Sequence, residues 1–439
     1  MLTVLVSLSA CKDNDIDPGL VNGETPNKGS ADFTKYVAVG NSLTAGFADG
    51  GLYREGQLNS YPNILAGQFK TVGGGDFIQP LFLDTQANGS GYRKLVKVPS
   101  LTNPATLLTS FVTVAPGAAR GGMTTSTPSA PLLTKFTGVN QNLGVPGIQV
   151  ANVLSPGYGS TAGNAYYERL VADPVITYFQ YVSNNLNGAT FFSCWLGNND
   201  VLAYALSGGA VAPTSTDLFT TNFTAMMNKL TEGNRKGVVI GIPNITTAPL
   251  FSTITVALVL AQINATVNPP TPITALFIQT PNGVRATQSG DLLLLSNLTD
   301  YATIGSTTIG TKQGPYGLSP TNPLPTQLVL DAGEVATLTA KTKEFNDIMK
   351  AQADAKGAAY VDPNSVLGQV ASPDGLTQNG IKYTASFIQG GVFSLDGIHL
   401  TPAGYALMAN EIIKGINAKY GSTIPQVNSA NYRRVLLQQ

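Results

Sequence analysis

Three observations predict an α/β fold with a parallel sheet covered on both faces. Short, largely apolar runs recur along the chain, and turn residues close most of them. They are Tyr36–Val39 before Gly40-Asn41, Ala189–Leu196 before Gly197, Gly237–Ile242 before Pro243, and Ala358–Val361. Runs without polar alternation fit strands buried on two faces. Segments of helical periodicity lie between them. Asp217–Leu230, for example, carries Leu218, Phe219, Phe223, Met226, Met227 and Leu230 at helical spacing. Alternation of strand and helix builds a parallel sheet flanked by helices.

Composition narrows the class further. The 439 residues suffice for one large domain with insertions or for two domains. Apolar residues make up 43% and charged residues 11%, so a large core is available and Ser, Thr, Asn, Gln and Gly must dress the surface. Such a surface suits an exported protein. Lys and Arg number 25, as do Asp and Glu, and the resulting net charge of zero points away from nucleic acid. Two cysteines, Cys11 and Cys194, cannot build a disulfide framework, and no C-x-x-C pattern occurs. His399 is the single histidine, which excludes a multi-histidine metal site. No metal or cofactor is expected.

The amino terminus carries an apolar run, Leu2–Leu8, leading into Leu8-Ser9-Ala10-Cys11. This resembles the lipobox of bacterial lipoproteins, where small residues permit cleavage before a cysteine that becomes lipidated. No Lys or Arg precedes the run. Lys12-Asp-Asn-Asp-Ile-Asp17 is similar to the acidic export tag of some Gram-negative surface lipoproteins. The expectation is a signal and tether over residues 1–30, cleavage before Cys11, a membrane partner through a lipid anchor, and a cell-envelope location.

Taken in order, Ser42 opens a helix from Leu43 onward, and a second helix spans Ser60–Phe69 with Ser60 at its cap and Pro62 in its first turn. Residues 86–167 lack Asp and Glu but hold Arg93, Lys94, Lys97, Arg120 and Lys135. They read as loops and short β pieces whose cations either solvate the surface or steer anions. Most of this stretch falls in a first insertion, at about 84–138. Asn142–Gly147 is a turn entering a short helix near Ile148–Leu154, and helices are expected at Tyr166–Ala172 and Val201–Leu206. A second insertion, at 246–325, holds four charged residues and the apolar runs Val256–Ala261 and Leu292–Leu295. Neither run reaches the ~20 residues that span a bilayer. This segment either lines a substrate cleft or covers the core. A long helix follows over Asp331–Ala355, and a final one is capped by Thr401 and Pro402 with Tyr405, Met408, Ile412 and Ile416 on its buried face. A main domain over 31–424 and a tail over 425–439 complete the expected organisation.

Four short stretches carry chemistry. Gly40-Asn-Ser-Leu43 puts Ser42 at the carboxyl end of a strand and the positive end of a helix, where ligands of open α/β sheets bind. In isolation it reads as a helix-capping turn. Asp396 and His399 stand three residues apart, a spacing that lets the carboxylate fix the imidazole tautomer while the other ring nitrogen acts as a base. A serine hydroxyl needs such a base before it attacks. Gly147 offers an unhindered backbone N–H and Asn199 a neutral amide, both suited to an oxyanion.

Gly40-Asn-Ser-Leu43, Asn142-Leu-Gly-Val-Pro-Gly147, Gly197-Asn-Asn-Asp200 and Asp396-Gly-Ile-His399 occur in the order of the four signature blocks of the SGNH/GDSL hydrolase superfamily. The chain resembles that superfamily over roughly Ala31–Tyr420. The resemblance implies a three-layer α/β/α sandwich around a flavodoxin-like parallel sheet of about five strands. It also implies serine esterase chemistry without a cofactor. Ser42 would be the nucleophile, His399 the general base and acid, and Asp396 its partner. The oxyanion donors would be the Ser42 and Gly147 backbone N–H groups and the Asn199 side chain. Asn41 stands where the family name has Asp, and Leu400 where Pro often follows the histidine. The expected substrates are lipid-type or small acyl esters. Alternatives are O-acetylated carbohydrate or, from another class, non-catalytic surface binding on the same fold.

Overall fold

The computed structural model describes residues 25–100, 104–125, 131–310 and 313–437. Leu2–Leu8, Cys11, the acidic run and the first part of the expected tether lie outside the described residues.

The central sheet is formed by β1 (Tyr36–Gly40), β2 (Phe191–Trp195), β3 (Lys236–Ile240) and β4 (Ala359–Val361), side by side in that order and all parallel. About five strands were expected, and the fifth is reduced to a single parallel bridge between Ala38 and Asn142 on the outer edge of β1. Hydrogen bonds there run from Ala38 N to Gln141 O and from Leu143 N to Ala38 O, each 2.8 Å, and from Val145 N to Gly40 O at 3.0 Å. The Tyr178 hydroxyl takes the next ladder position, accepting Gly40 N–H at 3.1 Å and donating to Leu143 O at 2.8 Å, so the pairing stops at one bridge. Counted in chain order, this edge segment lies outside β1, and β2 to β4 follow on the other side. That is the flavodoxin-like arrangement.

Strand alternation divides the core. Val37, Val39, Phe192, Cys194 and Val239 face one apolar cluster, while Tyr36, Ala38, Phe191, Trp195, Val238 and Ile240 face the other. Helices α1 (Thr216–Leu230) and α2 (Ala332–Ala355) close the first cluster, where Phe219 and Phe345 stack at 3.9 Å. The helix over Tyr61–Lys70 and the final helix α3 (Pro402–Tyr420) close the second with Leu65, Phe69, Ile412 and Ile416. This is a three-layer α/β/α sandwich. Asp331 caps α2 with Glu334 in a reciprocal capping box, and Thr401 caps α3 ahead of Pro402.

Several expected elements are shorter. The helix after Ser42 is one turn, Ser42–Ala45, stopped by Gly46 in the left-handed region. That at Tyr166–Ala172 is confined to Ala165–Glu168, because the Arg169 carbonyl is taken by Phe136 N at 2.9 Å instead of the next turn. Arg120 and Lys135, from the acid-free stretch, both pair with the buried Glu168, at 2.6 and 2.7 Å. These two cations therefore serve packing rather than an open positive patch. The last residues of the expected tether are docked, with Ser30 N bonded to Tyr420 O at 2.9 Å. The segment after 425 is likewise held, through Asn410 and Val427 and through Leu95 N to Leu436 O.

The second insertion contains a helix over Val256–Val267 and a hairpin of Phe277–Thr280 with Gly283–Ala286. Asp291, with its side chain fully buried, binds it to the core. Its oxygens accept two Arg285 N–H groups at 2.7 and 2.8 Å and the Ala332 amide at 2.9 Å. No helix among the described residues is long and apolar enough to cross a membrane.

Candidate active site

Gly40-Asn-Ser-Leu43 and Gly197-Asn-Asn-Asp200 emerge at the carboxyl ends of β1 and β2, where ligands of such sheets bind. Asn142–Gly147 runs along the outer edge of β1, and Asp396–His399 reaches Ser42 from a turn closed by the Phe393–Leu400 bridge. At the end of β1, Gly40 must be glycine. A Cβ would lie 2.0 Å from Thr44 Oγ1 and 2.6 Å from Trp195 O, so no side chain fits between β1, the following turn and β2. Asn41 then serves two neighbours. Its carbonyl oxygen accepts Leu43 N at 3.0 Å, capping the short helix, and its amide donates to Asn198 at 2.9 Å. An amide can both accept and donate here, which accounts for Asn where the family name has Asp.

Ser42, His399 and Asp396 form one hydrogen-bonded chain across 357 residues of sequence. His399 Nε2 lies 2.8 Å from Ser42 Oγ, and Nδ1 lies 2.9 Å from Asp396 Oδ2. Asp396 Oδ1 accepts the Ile398 and His399 amides at 3.0 and 2.8 Å. Burial alone would raise the Asp396 pKa. The His399 charge and ring hydrogen bond, with those amides, outweigh it and hold the carboxyl well below the usual carboxylate range. The pair is therefore a fixed carboxylate facing one imidazole nitrogen, while the other nitrogen faces a serine hydroxyl.

Gly147 and Asn199 are brought to the same strand ends. Asn199 Nδ2 donates to Ile148 O at 2.9 Å, and Gln149 Nε2 donates to Asn199 O at 2.9 Å, so the two blocks are stitched together. Asp200 completes the seam. It accepts Val150 N at 2.8 Å, Ala151 N at 3.0 Å and the Thr214 hydroxyl at 2.8 Å. Burial pushes its carboxyl up to about 6, against those hydrogen bonds.

Other neighbours of the site were absent from the sequence reading. The Phe47 ring lies against the His399 imidazole, centroids 4.5 Å apart. The Gly50 amide donates to Asp396 Oδ2 at 2.9 Å, and Ser394 Oγ donates to Oδ1 at 3.2 Å. The one available signal was Asp49-Gly50, a pair that favours tight hairpins. Among the described residues, no three His, Cys, Asp or Glu side chains are grouped to hold a metal ion.

A parallel α/β/α sandwich with this serine, imidazole and carboxylate arrangement at its strand ends has the groups that a serine hydrolase uses. The chain belongs to the GDSL-like lipase/acylhydrolase family, whose model matches residues 36–412. Among solved structures, an extracellular lipase from Streptomyces rimosus matches at 10% identity and a TM-score of 0.30, over 88% of this chain and 99% of that one. No curated protein matches the chain.

Proposed function

We propose that the protein hydrolyses carboxylic esters through an acyl-enzyme, with Ser42 as nucleophile. The observation that carries this reading is the Ser42–His399–Asp396 chain. His399 Nε2 takes the Ser42 proton as Oγ attacks the ester carbonyl, and the resulting imidazolium is balanced by Asp396. The tetrahedral oxyanion is met by the Ser42 and Gly147 amides and the Asn199 side chain. Collapse breaks the C–O bond, and His399 returns the proton to the departing alcohol. Water, deprotonated by the same nitrogen, then releases the acid.

Lipid-type or small acyl esters are the favoured substrates. An apolar cavity of about 30 Å³ is lined by Leu43, Trp195, Ile245, Ala248, Ile398 and Leu400, and neither Ser42 nor His399 is among its lining residues. Leu43 and Ile398 adjoin Ser42 and His399 in the chain, and Ile398 stands in the Asp396–His399 turn. The second insertion reaches this turn through Leu250 N, which bonds Gly397 O at 2.9 Å. O-acetylated carbohydrate is the second reading. A cleft of about 630 Å³ shares Thr247 with that cavity and is lined by Ser252, Thr253, Ser372, Thr384, Ser386 and Phe387, a neutral, hydroxyl-rich surface.

The test compares p-nitrophenyl acetate, butyrate and palmitate with acetylated xylan, for the parent and Ser42→Ala. Fast acetate turnover that disappears in Ser42→Ala is expected. Acetylated xylan hydrolysed faster than any of the p-nitrophenyl esters would favour the carbohydrate reading, and acetate turnover surviving in Ser42→Ala would overturn the nucleophile. Export and anchoring through Cys11 complete the proposal. Cys11→Ser should leave the membrane fraction with unchanged activity, and continued partitioning with membranes would refute the anchor.

A further inference from the structure

Ala48-Asp49-Gly50-Gly51 forms a two-residue hairpin, closed by paired hydrogen bonds of 3.0 and 2.9 Å between Ala48 and Gly51. Both central residues have positive φ, 54° at Asp49 and 80° at Gly50. This is type I′ geometry, for which Asp-Gly is a preferred pair. Turn conformation does not account for the burial of the Asp49 carboxylate, however, since a residue at a hairpin tip is ordinarily exposed. Asp49 is wholly inaccessible to solvent. Burial pushes its carboxyl up, and the Arg433 charge, the Tyr53 hydroxyl and the Leu395 amide act in the opposite direction.

The hairpin is fastened to the strip that carries Asp396. Asp49 N–H donates to Ser394 Oγ at 2.9 Å, and Leu395 N–H donates to Asp49 Oδ1 at 3.1 Å. Ser394 Oγ in turn donates to Asp396 Oδ1, while Gly50 N–H donates to Asp396 Oδ2. That last oxygen is the one bonded to the His399 ring. The other side of Asp49 is backed by the C-terminal segment. Arg433 Nη2 lies 3.4 Å from Asp49 Oδ2 and 2.9 Å from the Tyr53 hydroxyl, and Arg433 Nε is 2.7 Å from Glu55. The Tyr53 hydroxyl donates to Asp49 Oδ2 at 2.6 Å. Arg433 O also accepts Ala403 N at 2.9 Å, at the start of the helix that follows His399. The clamp therefore closes on both flanks of the Asp396–His399 turn.

We infer that Asp49 is a positioning residue for the Asp396–His399 pair, held in place by Arg433 from the C-terminal segment. This rests on the reading of Ser42, His399 and Asp396 given above. Asp49 acts by aiming the Gly50 amide and Ser394 hydroxyl at the two oxygens of Asp396, which sets the imidazole against Ser42. Its removal affects the reacting groups and leaves substrate binding alone.

The experiment measures kcat and KM on p-nitrophenyl acetate for the full chain and for Asp49→Asn, Arg433→Gln, the double variant and Ser42→Ala. Folding is checked by circular dichroism and elution volume. Folded Asp49→Asn should lose about tenfold or more in kcat, the scale of a small misplacement of reacting groups, with KM unchanged. Arg433→Gln should lose severalfold in kcat with KM unchanged, and the double variant should be no slower than Asp49→Asn, because both substitutions act through one contact. Folded Asp49→Asn with the parent kcat, or with a loss confined to KM, overturns the inference. If Asp49→Asn does not fold, Arg433→Gln decides, and a parent-like kcat there overturns it equally. Turnover lost in Ser42→Ala but intact in Asp49→Asn removes the positioning role alone. Turnover intact in Ser42→Ala removes the underlying reading with it.

Discussion

His399 Nδ1 lies 2.9 Å from Asp396 Oδ2, and the same carboxylate accepts four further hydrogen bonds from Gly50, Ser394, Ile398 and the His399 amide. An aspartate so completely bonded holds its ring partner in one tautomer and one orientation. Asp396→Asn should therefore lower kcat by on the order of 10²–10⁴-fold, the span attributed to a working acid–base group. Steady-state kinetics on a p-nitrophenyl ester check this, and a loss below about tenfold would contradict it.

The depressed Asp396 pKa also has a stability consequence. A carboxyl held below its unfolded value near ~3.9 contributes stability above that pH and loses it as pH falls toward the depressed value. The parent's melting temperature should accordingly fall more steeply than that of Asp396→Asn on acidification below about pH 4. Thermal unfolding at stepped pH decides it, and parallel curves would remove the linkage.

The base can be tested by chemical modification. His399 is the only histidine, so an acylated imidazole reports on this residue alone. Diethylpyrocarbonate should inactivate in step with one modified histidine.

Asn199→Ala tests the oxyanion assignment. One amide hydrogen of Asn199 is already committed to Ile148 O at 2.9 Å, which fixes the side chain and leaves the other free. Removal should cost about 10²–10³-fold in kcat, the usual scale for one such donor. A change confined to KM would take Asn199 out of that role.

Much of the fold and site is legible in the sequence because the informative signals are local. Apolar runs mark β1 to β3, and Thr401-Pro402 and Asp331 with Glu334 announce their helices through capping chemistry within four residues. Ser42, Gly147, Asn199, Asp396 and His399 stand out in the sequence because each sits in a short block with turn residues. The fifth strand shrinks to one bridge because the Tyr178 hydroxyl, 35 residues along the chain, stands between Gly40 N and Leu143 O, a contact that period and apolarity do not encode. The Asp49 clamp is invisible for another reason. Gly50 and Asp396 are 346 residues apart, and Arg433 reaches Asp49 from a tail without any pattern. A local Asp-Gly signal predicts the turn but not the carboxylate it serves.

The second insertion behaves as core cover at Asp291. Arg285→Met would leave that buried carboxylate without its bidentate partner, at a cost of about 3 kcal/mol, as for other broken buried pairs. A lower melting temperature with kcat on p-nitrophenyl acetate unchanged is the expected outcome. Unaltered stability would show that the ion pair does not tie the insertion down.

The most direct test of the central claim is the site of covalent labelling. Phenylmethylsulfonyl fluoride sulfonylates an activated serine, forming an O–S bond with loss of fluoride. Intact-mass and peptide mapping should place one adduct on Ser42, with esterase activity lost in proportion and no adduct in His399→Ala. Activity lost with the adduct on a different residue, or Ser42 labelled as fast without His399, would contradict the account.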